Sequence, residues 1–346
     1  MNIRELRNMF PALSRTVYGK QLVYFDNAAT AQRSQSVIDK WTQLTIGANA
    51  NIHRAVHKLA VDATDEYEST RDAVKEYINA AAREEIVFTS GTTGSINLVA
   101  FSFGEAFVNE GDEIIVSEAE HHSDIVPWQM LCQRKGAVLR VLHVDEDGHL
   151  NLEELKSLLN PKTRIVAVTQ ISNVLGILNP VKEIVSICHS AGCPVLIDGA
   201  QGMVHEGVDV QDVDCDFYVF SGHKLYAATG TGVLYGKRKW LDQMVPYQGG
   251  GEMISTVRFS GTTYAPLPEK FEAGTQNINA IPTLEPAIDM LKLMKDKELL
   301  NAQEAVSQYL LHALTSNPRV RLYGVPRGTE TKIPLFSFSV EGAHHE

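Results

Sequence analysis

Apolar residues along this chain fall into two rhythms. Short runs at 85–89, 112–116, 138–143, 164–169, 195–197 and 217–220 end in small or polar residues and read as strands, those at 164–169 and 217–220 as buried ones. Between them, apolar positions recur at helical spacing over 36–44, 57–78, 96–106, 125–135, 152–159 and 181–191. In the longest of these, Leu59, Ala63, Tyr67, Val74 and Ile78 form one stripe. The pattern opens with a short amphipathic helix over 2–10, stopped by Pro11, and an extended piece at 22–25. After Gly236 it predicts a helix at 240–244, helices at 288–300 and 302–315, and strands at 321–323 and 335–340. Alternating strands and helices with short polar connections predict an α/β chain with a mainly parallel sheet.

In that architecture ligands gather at the carboxyl ends of strands. Five candidate groups fall at such ends: Thr92 with Thr93, His121, Asn173, Asp198, and the run Ser221, Gly222, His223, Lys224. The stretch SGTTGS (90–95) joins a strand to a helix. Its free N–H groups and hydroxyls suit an anion, although no Gly-Lys-Ser/Thr follows as in a nucleotide loop. His53 and Arg54 stand at the entrance of the long helix, where an arginine can grip a carboxylate through two bonds. Small residues around Ala28 leave room for a ligand, and Phe271-Glu272-Ala273-Gly274-Thr275 is again small and polar.

Composition narrows the function. The chain has 346 residues, 44% hydrophobic and 21% charged, which is ordinary for a globular protein and long enough for two domains. Its net charge of -11 and the lack of a Lys/Arg cluster argue against nucleic acid. No run is apolar enough to cross a bilayer, and the first residues lack the core of a signal peptide. The four cysteines, Cys132, Cys188, Cys193 and Cys215, form no metal-ligand spacing, so no metal is expected, and a reducing, cytoplasmic setting is.

The candidates suit a pyridine-ring aldehyde bearing a phosphate, pyridoxal 5'-phosphate. Thr92, Thr93, Ser221 and His223 can cradle the phosphate. Asp198 can face the ring nitrogen and keep it protonated. Asn173 or Gln201 can meet the phenolic oxygen, and His121 offers a flat group for the ring face. Lys224 supplies the amine that binds the aldehyde and can then move protons.

With those residues assembled, the chain resembles the class V, fold-type I pyridoxal-phosphate enzymes, and more closely the group II cysteine desulfurases of the Suf and Csd type. The resemblance rests on YFDNAATAQ, NIHRAVH, GTTGSINLVA, AEHHSDIVPWQML, ISNVLG, VLIDGAQG, DVDCDFYVFSGHKLY, QGGGEMI and FEAGTQN, in the family's order along nearly the whole chain. It implies a seven-stranded, mainly parallel sheet in a large domain over 20–287. It also implies a smaller α+β domain from 1–19 and 288–346, incomplete at its C-terminal end.

The resemblance further implies roles. Lys224 would carry the cofactor, Asp198 would pair with the ring nitrogen, and Gln201 and Asn173 would meet the phenolic oxygen. His121 would stack on the ring and assist proton transfer. Thr93, Ser221 and His223 would bind phosphate, with Thr92 adjoining, and Thr275 would reach the phosphate of a neighbouring subunit in a homodimer. Ala28, His53, Arg54 and Asn173 would meet the substrate, L-cysteine or selenocysteine. The implied reaction yields L-alanine and passes sulfur as a persulfide to an acceptor protein of the SufE/CsdE type for iron–sulfur assembly.

Three features depart from the family pattern. None of the four cysteines matches the family's nucleophile, which lies beyond a segment resembling 342–345, and the family's carboxylate-binding arginine falls in that same region. The expectation is that the chain is a fragment. Gly94 stands where the family usually has glutamate, and Ala227-Ala228 replaces Gly-Pro. Other readings are a different class V aminotransferase or lyase, and a non-catalytic paralogue that binds the cofactor.

Overall fold

A computed structural model describes residues 2–53, 56–295, 297–324 and 332–344. Seven strands form its central sheet: β1 (Ile86–Thr89), β2 (Glu113–Ser117), β3 (Val138–Leu142), β4 (Thr163–Thr169), β5 (Val195–Asp198), β6 (Phe217–Ser221) and β7 (Gly232–Gly236). Their order across the sheet is β1-β7-β6-β5-β4-β2-β3. Only β7 runs against its neighbours, pairing antiparallel with β1 and β6. The other pairs are parallel. Six strands therefore end at one edge.

Period-two alternation sends each strand's side chains to two faces, and both faces are covered. Val87, Ile114, Val116, Leu196, Phe217, Val219 and Leu234 enter one core. There they meet Ile96, Val99 and Phe103 of a helix at Thr92–Phe107, and Trp128 and Leu131 of another at Val126–Lys135. Phe88, Ile115, Val166, Val168, Ile197, Tyr218 and Phe220 enter the other core. That face packs on helices at Lys58–Tyr77, Val181–Ser190 and Leu284–Met294. Each large apolar side chain so buried contributes about 1.5–3 kcal/mol, which is why the strands read as unbroken apolar runs.

Several predicted elements differ in extent. The helix expected over 96–106 begins at Thr92, because Gly91 (φ 144) turns the chain and frees the residues after it to start the first turn. Strand β7 was not predicted; its five residues follow so closely on the loop after β6 that they read as that loop's continuation. A two-stranded ribbon at Ile254–Arg258 and Gly261–Tyr264 was also unpredicted, since its exposed residues lack an apolar face. The segment 22–25 is extended but pairs with no strand, and a small hairpin precedes it instead. The last helix pair is Leu284–Met294 and Lys297–Thr315, so the chain breaks about six residues earlier than expected. Strands Val320–Tyr323 and Ser337–Val340 pair antiparallel.

Candidate active site

At the shared carboxyl edge of the strands lies a cavity of about 500 Å³, a size suited to a small ligand. Ten of the predicted residues line it: Ala28, Thr92, Thr93, His121, Asn173, Asp198, Gln201, Ser221, His223 and Lys224. A wider groove of about 940 Å³ runs past Tyr77, Pro180 and Lys295, but it holds none of these groups.

Glycines bring the cradle together. A Cβ on Gly232 would lie 2.3 Å from the Gly91 Cα, so β7 and the turn after β1 touch only because Gly232 lacks a side chain. That contact sets Thr92 beside Ser221: the Ser221 hydroxyl accepts from the Thr92 N–H at 2.7 Å and lies 2.8 Å from its Oγ1. Thr93, next in the helix, reaches the Ser123 hydroxyl at 2.8 Å. Hydroxyls and a sixteen-residue helix start thus face the cavity together.

Asp198 ends β5 and is 3% exposed. Burial raises its carboxyl above the ordinary range, opposed by the Ala200 N–H, which donates at 2.8 Å, and by the charge of Lys224. The turn after it is packed from below. A Cβ on Gly199 would sit 2.0 Å from Tyr218, and one on Gly202 would sit 2.0 Å from Gln170. Tyr218 in turn donates to Gln170 at 2.5 Å. Gln201 donates to the Ala28 carbonyl at 2.8 Å. The His223 carbonyl accepts from the Ala31 N–H at 3.1 Å, and its ring Nδ1 meets Thr30 Oγ1 at 3.1 Å. These contacts fold the 26–31 turn over the cavity.

Lys224 follows β6 in a short turn at Gly222–Lys224. Burial lowers its ammonium below the ordinary lysine value, and Asp198 opposes that shift. Among the described residues no hydrogen bond or ion pair engages its amine. His121 accepts the Ser123 N–H at Nδ1 (3.1 Å), with the Ser123 hydroxyl 2.9 Å away. Nδ1 is therefore the unprotonated nitrogen, and a neutral ring carries its proton on Nε2. Burial, Lys224 and His122 lower its proton affinity, so the neutral ring dominates at neutral pH. Burial, Lys224 and Arg33 do the same for His223.

Two predicted residues stand apart, and a third is not described. His53 (φ 64) is absent from the cavity lining and bonds Glu68 at 3.2 Å, which raises its proton affinity. Thr275 lines a separate pocket of about 270 Å³ with Ser90, Gly94 and Gly230. Arg54 lies outside the described residues. Conversely, Asp26, Ser123 and Thr169 line the cavity without having been singled out. Ser123 follows His121 by two residues, so its hydroxyl was in plain view. Thr169 closed a strand whose pattern pointed only inward.

The donor set fits pyridoxal phosphate on this structure's own terms. A buried carboxylate, an unengaged amine and a hydroxyl-lined helix start share one cavity. Residues 23–346 match the aminotransferase class-V family, and the chain belongs to it. That family is pyridoxal-phosphate-dependent and of fold type I. A curated cysteine desulfurase of Enterobacter sp. (strain 638) is 47% identical over 344 residues, covering 99% of this chain and 84% of the relative. One from Pectobacterium atrosepticum is 49% identical over 323 residues, covering 93% and 79%. The crystal structure of the Escherichia coli cysteine desulfurase CsdA superposes with a TM-score of 0.86 at 38% identity, covering 100% of this chain and 84% of that one. The apo cysteine desulfurase of Thermococcus onnurineus NA1 gives 0.90 at 34%, covering 99% and 84%. Among the described residues no helix is long and apolar enough to cross a membrane.

Proposed function

We infer that this chain is a pyridoxal-phosphate-dependent cysteine desulfurase, taking L-cysteine, or selenocysteine, to L-alanine. The observation that carries the reading is the amine of Lys224, unengaged and depressed by burial, in the same cavity as the buried Asp198. When bound, pyridoxal phosphate supplies an electron sink for bond breaking beside the amino group of an amino acid.

The chain's own residues do the rest. Thr92, Thr93, Ser221 and His223 hold the phosphate end. Asp198 holds a proton on the ring nitrogen, and Asn173 and Gln201 fix the phenolic oxygen. Lys224 binds the aldehyde and afterwards takes and returns a proton at Nζ. His121 donates from Nε2, the nitrogen left protonated by its Ser123 contacts. Ala28, carried on the 26–31 turn, and Asn173 bound the substrate, and His53 and Arg54 are proposed to meet it as well. Thr275 serves a second copy in a homodimer, a reading supported by its separation from its own cavity. Heavily exposed apolar residues such as Tyr18, Phe25, Val56 and Phe259 support the same association.

Desulfuration breaks the carbon–sulfur bond and leaves the sulfur on a thiolate as a persulfide. None of the four cysteines suits that role. All are buried, and burial pushes their thiols up, Cys188 to about 12. The receiving thiol comes from outside these four positions, and an acceptor protein of the SufE/CsdE type then carries the sulfur to iron–sulfur assembly. Free cysteines fit a cytoplasmic setting.

The test is product analysis of protein loaded with pyridoxal phosphate and given L-cysteine and a thiol acceptor. Alanine and acceptor-bound sulfur in equal amounts, both lost in Lys224→Ala, are expected. Keto-acid products instead would make it a different class V enzyme.

A further inference from the structure

Two buried acids flank His121. Glu120 is 8% exposed and Asp124 0%. Glu120 Oε1 accepts from the Ser117 hydroxyl and from the Thr169 N–H (2.8 Å). Asp124 Oδ1 accepts from Trp128 Nε1 at 2.7 Å. The other two oxygens, Glu120 Oε2 and Asp124 Oδ2, are buried without a donor. The two acids act on each other, Glu120 raising the Asp124 carboxyl and Asp124 easing ionisation of Glu120. Two carboxylate oxygens attract only when a proton lies between them. One proton on Asp124 Oδ2 satisfies both, and all four oxygens are then accounted for.

We propose that Asp124 donates a proton to Glu120 across the base of the 120–124 loop, and that this clasp positions His121 at the loop's apex. The clasp ties three strand ends together: Ser117 closes β2, Thr169 closes β4, and Thr169 pairs with Asp198 of β5. The Asp198 charge acts on both acids, while Ser117, Thr169 and Trp128 contribute neutral donors. Unprotonated, the pair would set two negative charges behind Asp198 in a dry interior; with the proton it sets one. Burial, helped by Asp198, pushes Glu120 up to about 8. Burial, Glu120 and Asp198 push Asp124 upward as well. The pair therefore holds at least one proton through neutrality.

A raised carboxyl stabilises the fold fully below the ordinary carboxyl range, and that stability is lost as pH rises through about 8. Asp124→Asn keeps the Trp128 contact and offers Glu120 an N–H that does not titrate. The bearing on His121 rests on the cavity being the reaction site, whereas the proton does not. The full chain is therefore studied with and without added pyridoxal phosphate.

Urea midpoints of the unmodified protein should fall between about pH 6 and about pH 9, and those of Asp124→Asn should fall less steeply. Protonated-carboxyl infrared absorption at about pH 6 should include a component absent from Asp124→Asn; Glu120→Gln gives a second variant for both readouts. In loaded protein, Asp124→Ala should lose about tenfold in kcat, restored by Asp124→Asn. Superimposable pH–stability curves, or no infrared band that either variant removes, would overturn the shared proton. Equal kcat in Asp124→Ala and Asp124→Asn would overturn the positioning of His121 while leaving the proton intact.

Discussion

Lys224 and Asp198 line one cavity from neighbouring parallel strands, and each shifts the other's ionisation. For Lys224 burial outweighs the attraction, so the folded chain resists a charge that the unfolded chain carries freely. A lysine lowered on folding costs stability at neutral pH, and that cost fades as pH rises towards the ordinary lysine value of about 10.4. Lys224→Met should therefore raise the urea midpoint of cofactor-free protein at neutral pH, with a gain that shrinks in alkali. It should also abolish alanine formation. A midpoint unchanged or lowered at neutral pH would mean the amine is better solvated than its burial indicates.

Asp198→Asn keeps the shape of the turn and removes the charge. A charged hydrogen bond contributes about 1.5–3 kcal/mol, which corresponds to about ten- to hundredfold weaker retention of the cofactor. Equilibrium dialysis against pyridoxal phosphate measures this directly. Retention equal to that of the unmodified protein would remove Asp198 from the proposed role.

Arg71 and Glu272 form a buried, doubly bonded pair at 2.7 and 2.9 Å, and Glu272 also accepts the Phe88 N–H at 2.7 Å. The pair ties the Lys58–Tyr77 helix to β1 and to the segment that carries Thr275. Removing Arg71 strands the buried Glu272 charge, so Arg71→Met should cost about 3–5 kcal/mol in denaturant unfolding, and Glu272→Gln, which leaves Arg71 paired with Glu68, should cost less. The double variant Arg71→Met with Glu272→Met should recover part of that loss.

Gly199→Ala forces a methyl to within 2.0 Å of the Tyr218 ring. Overpacking of this kind costs about 1–3 kcal/mol. Because the turn holds Asp198 and Gln201, weaker cofactor retention should accompany the lost stability. Tyr218→Ala in the same chain should relieve the strain, and retention that stayed low would show that the Gly199 backbone itself is needed.

The order of strands and helices was legible because both faces of the sheet are covered, so each central strand is an uninterrupted apolar run. Ribbons and β7 were not, for opposite reasons: the Ile254–Arg258 strand buries nothing, and β7 hides in what reads as a loop. Ten candidate residues converge on one cavity because polar groups that follow strands of one direction must meet at one edge. His53 shows that residue type alone does not decide a role: a histidine at a helix entrance has the same signature whether it faces a ligand or, as here, bonds Glu68. Glu120 and Asp124 gave no signal at all. Acids beside histidines in a polar loop read as solvated, and only the fold buries them.

The most direct test of the central claim is chemical. Protein incubated with pyridoxal phosphate is reduced with borohydride, digested and mapped by mass. One cofactor per chain, on the peptide that contains Lys224 and absent after Lys224→Ala, is the expected result. Stoichiometric label on any other lysine, or none on the Lys224 peptide of folded protein, would contradict it.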